Sequence, residues 1–439
     1  MAYNRKQRLN DNIKAIETAF ILDREQRTPT ARERLLLERY CGFGGLKCIL
    51  NPARELADAV HWAKSDLELF APTVELHRLI RENSKNESEY KQLMDSLKQS
   101  VLTAFYTPSA VTEALTDVLK EHHIIPEKVL EPSAGIGAFV DSVLDNNPKA
   151  DIMAFEKDLL TGKILRHLHP EQKVRIEGFE KIEKPFNDYF DLAISNIPFG
   201  DVAVFDPSYT AMKGMRALVT RRIHNYFFVK ALDTVRDGGL VAFITSQGVL
   251  NAKNNSAARF MMLYHADLVS AIRLPNNLFT ENANTEVGSD LIILQKNTQK
   301  ESLRGDDNLL DTVYNDENRI PTNNYFLEHP ERIIHTTAKL DTDPFGKPAM
   351  IYTHEDGVEG IAEDLRKMLH EDFKRNLNLN RYLGIEETKA EEVKEVEETE
   401  KIEKTEKMKP SIEEKQNDTV VSLQKQEKPT DDAELSQKS

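Results

Sequence analysis

A strand-forming run, residues 189–195, ends abruptly at Asn196-Ile197-Pro198-Phe199. Methyl transfer to an aromatic amine requires acceptors that hold the N–H groups while the nitrogen lone pair turns out of ring conjugation. The Asn196 side-chain oxygen and the Ile197 carbonyl, held by Pro198, supply two acceptors. Phe199 can stack on the base, and the chemistry needs no metal and no strong base. For this motif by itself, the alternative is a proline turn that only closes a strand.

An earlier apolar run, residues 128–132, leads into a turn with the pattern Glu-Pro-x-x-Gly-x-Gly. Glycine lets such a backbone approach a ligand closely. A dinucleotide fingerprint needs a third glycine where this chain has Val140, and a phosphate loop needs a Gly-Lys-Ser/Thr run that the turn lacks. A carboxylate at the strand end repels phosphate and suits a cationic ligand, which indicates S-adenosyl-L-methionine with its sulfonium and ammonium groups. The predicted cofactor residues here are Glu131, Pro132, Ser133, Ala134, Gly135 and Gly137.

The next two predicted strands also end in residues that suit this cofactor. Glu156 follows the second strand, where a carboxylate can accept both ribose hydroxyl protons. After the third strand, Phe179 can lie on the adenine face and Glu180 can accept from its exocyclic amine, and the choice between the two stays open. A single strand-end glutamate is more often a solvated loop residue. Three such strand ends in this order favour a cofactor site.

In chain order, five segments resemble motifs X, I, II, III and IV of the N6-adenine DNA methyltransferases of the gamma arrangement, which include modification subunits of type I restriction systems. They are "FYTP" (105–108), "LEPSAGIGAF" (130–139), "AFEKD" (154–158), "EGFEKI" (177–182) and "SNIPFG" (195–200). The sequence also resembles methyltransferase regions of helicase-methyltransferase proteins of conjugative elements and phages. Those regions share the "NIPFG" spelling and a segment like "YCGFGG" at 40–45. The likeness spans roughly residues 30–340.

This resemblance implies an enzyme that transfers a methyl group from S-adenosyl-L-methionine to the N6 amine of adenine in DNA, with double-stranded DNA as its partner. It places Thr107 and Pro108 at the methionine end of the cofactor. A base inside a duplex must be flipped out to reach such a pocket, which costs roughly a few kcal/mol. In the family an aromatic residue, here Phe279, packs against the flipped base; a hydrophobic core residue is the alternative for Phe279.

One position departs from the family's Asn-Pro-Pro-Tyr/Phe pattern. Ile197 keeps the carbonyl acceptor but lacks the φ restriction of a first proline, which can slow the reaction or relax it toward other amines. Two alternatives therefore stay open. One is the same fold methylating cytosine N4, guanine N2 of ribosomal RNA or a protein glutamine. The other is a non-catalytic DNA-binding or anti-restriction module, against which the presence of Asn196 argues.

Basic residues cluster after the target motif in a chain that is otherwise acidic. With 17 acidic and 10 basic residues, the tail at 386–439 carries −7 of the formal net charge of −15, which leaves −8 for residues 1–385. An acidic body needs a local basic patch to contact nucleic acid. An ordinary solvated helix face is the alternative for this cluster. The candidate phosphate contacts are Lys213, Arg216, Arg221 and Arg222.

Composition excludes several other classes of protein. Cys41 and Cys48 are the only two cysteines, so no disulfide framework forms, and a structural zinc site would need two more ligands. The first residues are basic and polar without an apolar signal region, and no stretch reaches about 18 consecutive apolar residues. We therefore expect a cytoplasmic protein with no metal and no membrane contact.

Seven short apolar runs alternate with helical segments between residues 101 and 297, which predicts a doubly wound, mainly parallel α/β sheet. The last two runs lack a helix between them, which predicts a terminal antiparallel hairpin. The resemblance makes this a Rossmann-like, class I S-adenosylmethionine-dependent methyltransferase fold with seven strands. The predicted parts are a helical N-terminal region (1–100), the catalytic domain (101–297), a small extension (298–385) and a disordered charged tail (386–439).

Target recognition is not encoded in any segment that can be identified. Residues 297–385 are short for a target-recognition domain. Specificity is therefore low, or a helicase or specificity partner supplies it. The resemblance implies a role in restriction-modification or on a mobile element.

Overall fold

The seven apolar runs form the strands of one sheet. The computed structural model describes residues 4–103, 106–212, 214–280, 286–303, 307–314, 319–343 and 346–385. The strands are β1 Lys128–Glu131, β2 Asp151–Phe155, β3 Lys173–Arg175, β4 Phe190–Asn196, β5 Val235–Ser246, β6 Ala266–Leu274 and β7 Ser289–Lys296. Their order across the sheet is β3-β2-β1-β4-β5-β7-β6; β7 pairs antiparallel with both β5 and β6, and the other neighbouring strands pair in parallel. The predicted doubly wound sheet with a terminal antiparallel hairpin is confirmed.

Helices precede the sheet and cover both of its faces. Two small hairpins follow it, β8 Thr312–Tyr314 with β9 Pro321–Asn323 and β10 Thr337–Thr342 with β11 Pro348–Thr353. The helices are α1 Arg5–Glu25, α2 Ala31–Leu37, α3 Phe70–Glu82, α4 Glu87–Thr103, α5 Ser109–Glu121, α6 Ala138–Asn146, α7 Leu159–Leu168, α8 Pro207–Thr210, α9 Met215–Val219, α10 Ile223–Thr234, α11 Gly248–Asn251, α12 Ser256–His265, α13 Asn324–Glu328, α14 Gly357–Asn376 and α15 Leu379–Leu383.

The central strands are apolar at nearly every position because both faces of the sheet are covered. Leu192 and Ile194 of β4 belong to a core that includes α5, α6 and α14. Ala193, between them, faces the opposite core together with Phe228 of α10. Alternate residues of one strand therefore anchor opposite layers, and this holds the carboxyl end of β4 in place.

The predicted helical N-terminal region is confirmed, and its apolar core is shared with the sheet domain. Leu9, Ile13 and Ile16 of α1 are buried in a cluster that also contains Leu160 and Ile164 of α7. Helix α7 directly follows β2 in the chain. The N-terminal helices therefore pack against the first element after the predicted ribose-binding strand end.

Residues as far as Ile385 form one compact unit, in which α14 packs against α5 and β6. The proposed domain boundaries at 100/101 and 297/298 stay predictions. The charged tail, 386–439, and its predicted disorder lie outside the described residues.

Two features are absent from the part of the chain that the structure describes. No helix there combines enough length with enough apolar character to cross a bilayer. The same part contains no cluster of three or more His, Cys, Asp or Glu side chains that could hold a metal ion.

A buried ion pair joins the two strands of the terminal hairpin. Arg273 Nε donates to Asp290 Oδ1 at 2.9 Å, and Arg273 Nη2 donates to Asp290 Oδ2 at 3.1 Å. Arg273→Ala leaves the Asp290 carboxylate buried without its cation, so the free energy of unfolding, measured with urea, should fall by about 3–5 kcal/mol. Arg78→Ala, which removes an exposed pair with Glu82, is the control and should cost far less. Equal losses would contradict the prediction.

Candidate active site at the carboxyl ends of the strands

The predicted cofactor turn and the predicted target motif lie at the same edge of the sheet, because neighbouring parallel strands end together there. Glu131 is the last residue of β1, and Asn196 is the last residue of β4, its neighbour. Ser195 Oγ lies 3.3 Å from the carbonyl oxygen of Ser133 and 3.5 Å from Glu131 Oε1. These contacts connect the two predicted halves of the site.

The glycine turn passes directly beneath two side chains. Gly135 has a φ of +57° and Gly137 a φ of +96°, a region that favours glycine. A Cβ on Gly135 would lie 2.7 Å from Cε1 of Tyr106, and a Cβ on Gly137 would overlap the His169 ring. Conformation and space therefore both require these glycines. Neither neighbour is among the residues predicted from the sequence: Tyr106 lies inside the "FYTP" segment, whereas nothing in the sequence marks His169.

Glu131 is a buried carboxyl group that lacks a full set of partners. Its side chain is 2% exposed, and its Oε2 atom has no hydrogen-bond partner among the described residues. Burial raises the pKa of Glu131 well above its ordinary value, and the nearby Glu156 raises it further. Thr107 Oγ1, just before Pro108 and α5, is also buried without a partner. These orphaned oxygens fit a cationic group that donates hydrogen bonds, such as an ammonium.

Glu156 connects the end of β2 to the glycine turn. Its Oε2 accepts from the Gly135 N–H at 2.8 Å, and its Oε1 accepts from the Asp158 N–H at 2.7 Å. Burial raises the pKa of Glu156 to about 8, and the charge of Asp158 adds to the shift. Each carboxylate oxygen can accept more than one hydrogen bond, so both can still accept from a hydroxyl group.

The structure distinguishes the two adenine candidates. Phe179 is 1% exposed, and its ring packs against Phe155 and Phe227 at centroid distances of 5.9 and 5.2 Å. It therefore belongs to the core and presents no open face on which adenine can stack. Glu180 is half-buried, with Lys157 Nζ 3.6 Å from its Oε1 atom. Of the two, Glu180 is the one with an accessible polar group.

In the predicted target motif, a hydrogen bond and side-chain packing hold Ile197, the position at which the family has its first proline. Ile197 donates its N–H to the Ile244 carbonyl of β5 at 3.0 Å, a bond that proline cannot make. Its side chain is 1% exposed and lies in the core that includes α10. Asn196 and Pro198, on either side, are half-buried. The looser positioning expected from the sequence is therefore offset by these contacts.

The two predicted base-stacking rings lie next to each other. Phe199 is half-buried, and its ring meets Phe279 edge to face with centroids 6.4 Å apart. Phe279 is 0% exposed and belongs to the core beneath the site. This favours the core interpretation of Phe279 and leaves Phe199 as the ring with accessible surface.

Two of the four predicted phosphate contacts, Arg216 and Arg222, are paired with carboxylates. Arg216 donates to both carboxylate oxygens of Asp233 at 2.7 and 2.9 Å, and Arg222 Nε donates to Asp201 at 2.6 Å. These two charges are neutralised by carboxylates, and the local sequence around the arginines gives no sign of either pairing. Arg221 is exposed and has no side-chain partner within the described ranges, while Lys213 lies outside them.

The strand order and the site at the ends of β1, β2 and β4 define a class I methyltransferase fold of the S-adenosylmethionine-dependent type. The chain belongs to the N-6 DNA methylase family, whose model matches residues 88–391, more than half of its 439 residues.

Two relatives and one solved structure are similar to parts of this chain. One relative is the Defense against restriction protein B of Escherichia phage P1, to which this chain is 29% identical over 201 residues. The match spans 44% of this chain and 8% of the phage protein. This chain is 24% identical over 173 residues, 36% of its length, to the type II methyltransferase M.XamI of Xanthomonas campestris pv. amaranthicola, and covers 33% of it. A type I restriction-modification system methyltransferase subunit from Streptococcus thermophilus is 12% identical with a TM-score of 0.38, over 85% of this chain and 94% of that one.

The raised pKa of Glu131 predicts a pH-dependent stability difference. A carboxyl group whose pKa is raised by folding destabilises the folded state as the pH rises above its ordinary value near 4.5. Glu131→Gln removes this cost, so the variant without ligand should melt at a higher temperature than the wild type. The increase should be about 2 °C for each ~1 kcal/mol of folding free energy regained, and it should be larger at pH 9 than at pH 6. Thermal unfolding at both values measures the difference. Glu171→Gln, at an exposed position, is the control and should follow the wild type; the same behaviour in Glu131→Gln would refute the prediction.

Proposed function

We propose that the chain transfers a methyl group from S-adenosyl-L-methionine to the N6 amine of adenine in double-stranded DNA. The observation that carries the proposal is the position of Asn196 at the end of β4, beside the strand whose final residue, Glu131, has a buried oxygen without a partner. The first site suits a planar amine, and the second suits a cationic donor. Membership of the N-6 DNA methylase family supports both assignments.

The residues around the glycine turn would hold the cofactor, which supplies an electrophilic methyl group on a sulfonium. The Glu131 carboxyl group and the Thr107 hydroxyl would receive its ammonium end beside Pro108. Glu156 would accept from the ribose hydroxyls, since its oxygens already lie at the turn. Glu180 would accept from the adenine amine of the cofactor.

The target motif would hold the base that is methylated. The side-chain oxygen of Asn196 and the main-chain carbonyl of Ile197 would accept the two N–H groups of the adenine amine and keep its lone pair directed at the methyl group. Phe199 would stack on the extruded base and recover part of the cost of flipping, which is roughly a few kcal/mol. The reaction needs no strong base because the nitrogen loses a proton readily once it carries the methyl group.

The segment after the motif would face the DNA. Phe205 is 78% exposed and Val202 is also exposed. The Val204 N–H donates to the Thr220 carbonyl at 2.8 Å, which brings this apolar segment next to Arg221. An apolar tip beside an available cation suits a distorted duplex, where apolar residues contact unstacked bases and cations contact phosphates.

The acceptor and the biological setting belong to the same proposal. The name of the phage P1 relative refers to defence against restriction. We infer that this chain modifies DNA in a restriction-modification setting on a mobile element in the cytoplasm, with a helicase or specificity partner supplying sequence recognition. Other amines, or DNA binding without transfer, remain the outcomes against which the proposal is tested.

Asn196→Ala should abolish transfer without abolishing cofactor binding. The protein is incubated with methyl-labelled S-adenosylmethionine and duplex DNA, and the DNA is digested to nucleosides for mass spectrometry. N6-methyladenine should form with the wild type and fall by about 100-fold or more in the variant. Asn187→Ala, at an exposed position, is the control and should keep full activity. N4-methylcytosine, or label in RNA or protein, would change the acceptor, and DNA binding without transfer would favour a non-catalytic module.

Arg221→Ala should weaken DNA binding in a salt-dependent way. Loss of one phosphate contact reduces the slope of log affinity against log salt by about 1. Fluorescence anisotropy with a labelled duplex between 50 and 200 mM salt measures this slope. Arg216→Ala, checked for folding, is the matched comparison and should leave the slope unchanged because Asp233 already neutralises that charge. The same slope in the wild type and Arg221→Ala would remove this residue from the interface.

A further inference from the structure

The loop after β2 is held from outside the sheet domain. Asp158, two residues beyond Glu156, is the N-cap of α7, and its Oδ1 accepts from the Thr161 N–H at 2.7 Å. The backbone N–H of Asp158 donates to Glu156 Oε1 at 2.7 Å. The Asp158 backbone therefore helps to orient the Glu156 carboxylate, together with the Gly135 N–H on its other oxygen.

Ser96, on helix α4 of the N-terminal region, is bonded to this cap twice. Its hydroxyl donates to Asp158 Oδ2 at 2.7 Å and accepts from the Leu160 N–H at 3.0 Å. Ser96 is buried, so water does not compete for these bonds. It satisfies both a carboxylate and an N–H group at the start of α7, which fixes that helix end against α4.

Tyr40 makes a second bond from the N-terminal region to the same helix. Its hydroxyl lies 3.3 Å from Thr161 Oγ1, and both side chains are buried. Tyr40 also belongs to the apolar cluster against which Tyr106, the residue whose ring covers Gly135, is packed. Tyr40 therefore contacts the start of α7 and lies in the same cluster as the ring over the glycine turn.

Tyr40 is the first residue of the glycine-rich segment "YCGFGG", which is itself held in place by hydrogen bonds. The Asn12 side chain holds it from both directions, donating to the Gly42 carbonyl at 2.6 Å and accepting from the Cys41 N–H at 2.9 Å. The Phe43 N–H donates to Ser100 Oγ at 3.1 Å, which attaches the segment to α4. Three hydrogen bonds from the N-terminal helices therefore hold this segment.

We propose that Ser96 and Tyr40 are positioning residues for S-adenosylmethionine, so that the N-terminal helices complete the cofactor site. Both act through Asp158 and Thr161 on Glu156, and neither touches the cofactor. The inference rests on the cofactor part of the proposed function and is independent of which amine accepts the methyl group. Loss of either hydroxyl loosens the start of α7, so the Asp158 N–H, one of the two N–H groups that orient Glu156 toward the ribose, is held less firmly.

The test is calorimetric titration of the full-length protein with S-adenosylhomocysteine. Ser96→Ala and Tyr40→Phe should each raise Kd by about ten-fold, in line with the loss of a buried hydrogen bond to or beside a charged group. Ser96→Thr, which keeps a hydroxyl, should restore most of the affinity. In turnover assays the KM for the cofactor should rise with little change in kcat.

Controls separate positioning from general loss of stability. Thr18→Ala also removes a buried hydroxyl from the N-terminal region, but that hydroxyl bonds only within its own helix, to the Lys14 carbonyl at 2.7 Å. It should leave Kd unchanged. If Ser96→Ala does not fold, the Kd of Tyr40→Phe alone tests the inference, because that substitution removes only an oxygen atom.

Wild-type affinity in both Ser96→Ala and Tyr40→Phe would overturn the inference while leaving the proposed function intact. No binding by the wild type would overturn the cofactor assignment itself, and the inference with it. A rise in Kd that Thr18→Ala reproduces would also count against positioning, because it would show a general effect of instability.

Discussion

Two carboxyl groups, buried Glu131 and half-buried Glu156, lie beside one glycine turn, and the arrangement of the site depends on keeping them there. One oxygen of Glu131 has no partner among the described residues, whereas Glu156 uses both of its oxygens on backbone N–H groups. Burial raises the pKa of each group. Such a pair is costly in a protein without ligand, since buried charge needs a partner. A ligand with fixed positive charge offsets a cost of this kind.

The target motif shows how the same geometry can be held by different means. A first proline would restrict φ through its ring, whereas Ile197 uses a hydrogen bond to Ile244 of β5 and a buried side chain. Both arrangements leave a main-chain carbonyl available as an acceptor. The departure from the family pattern is therefore compatible with a precisely held loop, and activity need not be lost with the proline.

The N-terminal helices and the segment after the motif give the site two different boundaries. On one side, Ser96 and Tyr40 bond to the start of α7 through buried hydroxyl groups, which makes that boundary rigid. On the other side, Phe205 is exposed and Arg221 has a charge that no described side chain neutralises. The structure therefore combines a firmly bonded N-terminal side with an open, partly apolar surface after the Asn196 motif.

The sequence by itself determined the seven strands, the antiparallel hairpin and the grouping of Glu131, Glu156 and Asn196, because residues that follow parallel strands must share one edge of the sheet. Only the tertiary structure decided which candidates are accessible. Phe179 is closed in the core, and Arg216 is paired with a carboxylate 17 residues away. The periodicity of apolar residues indicates the helix or strand to which a residue belongs. Its burial and ion pairing depend instead on which distant segments fold against it.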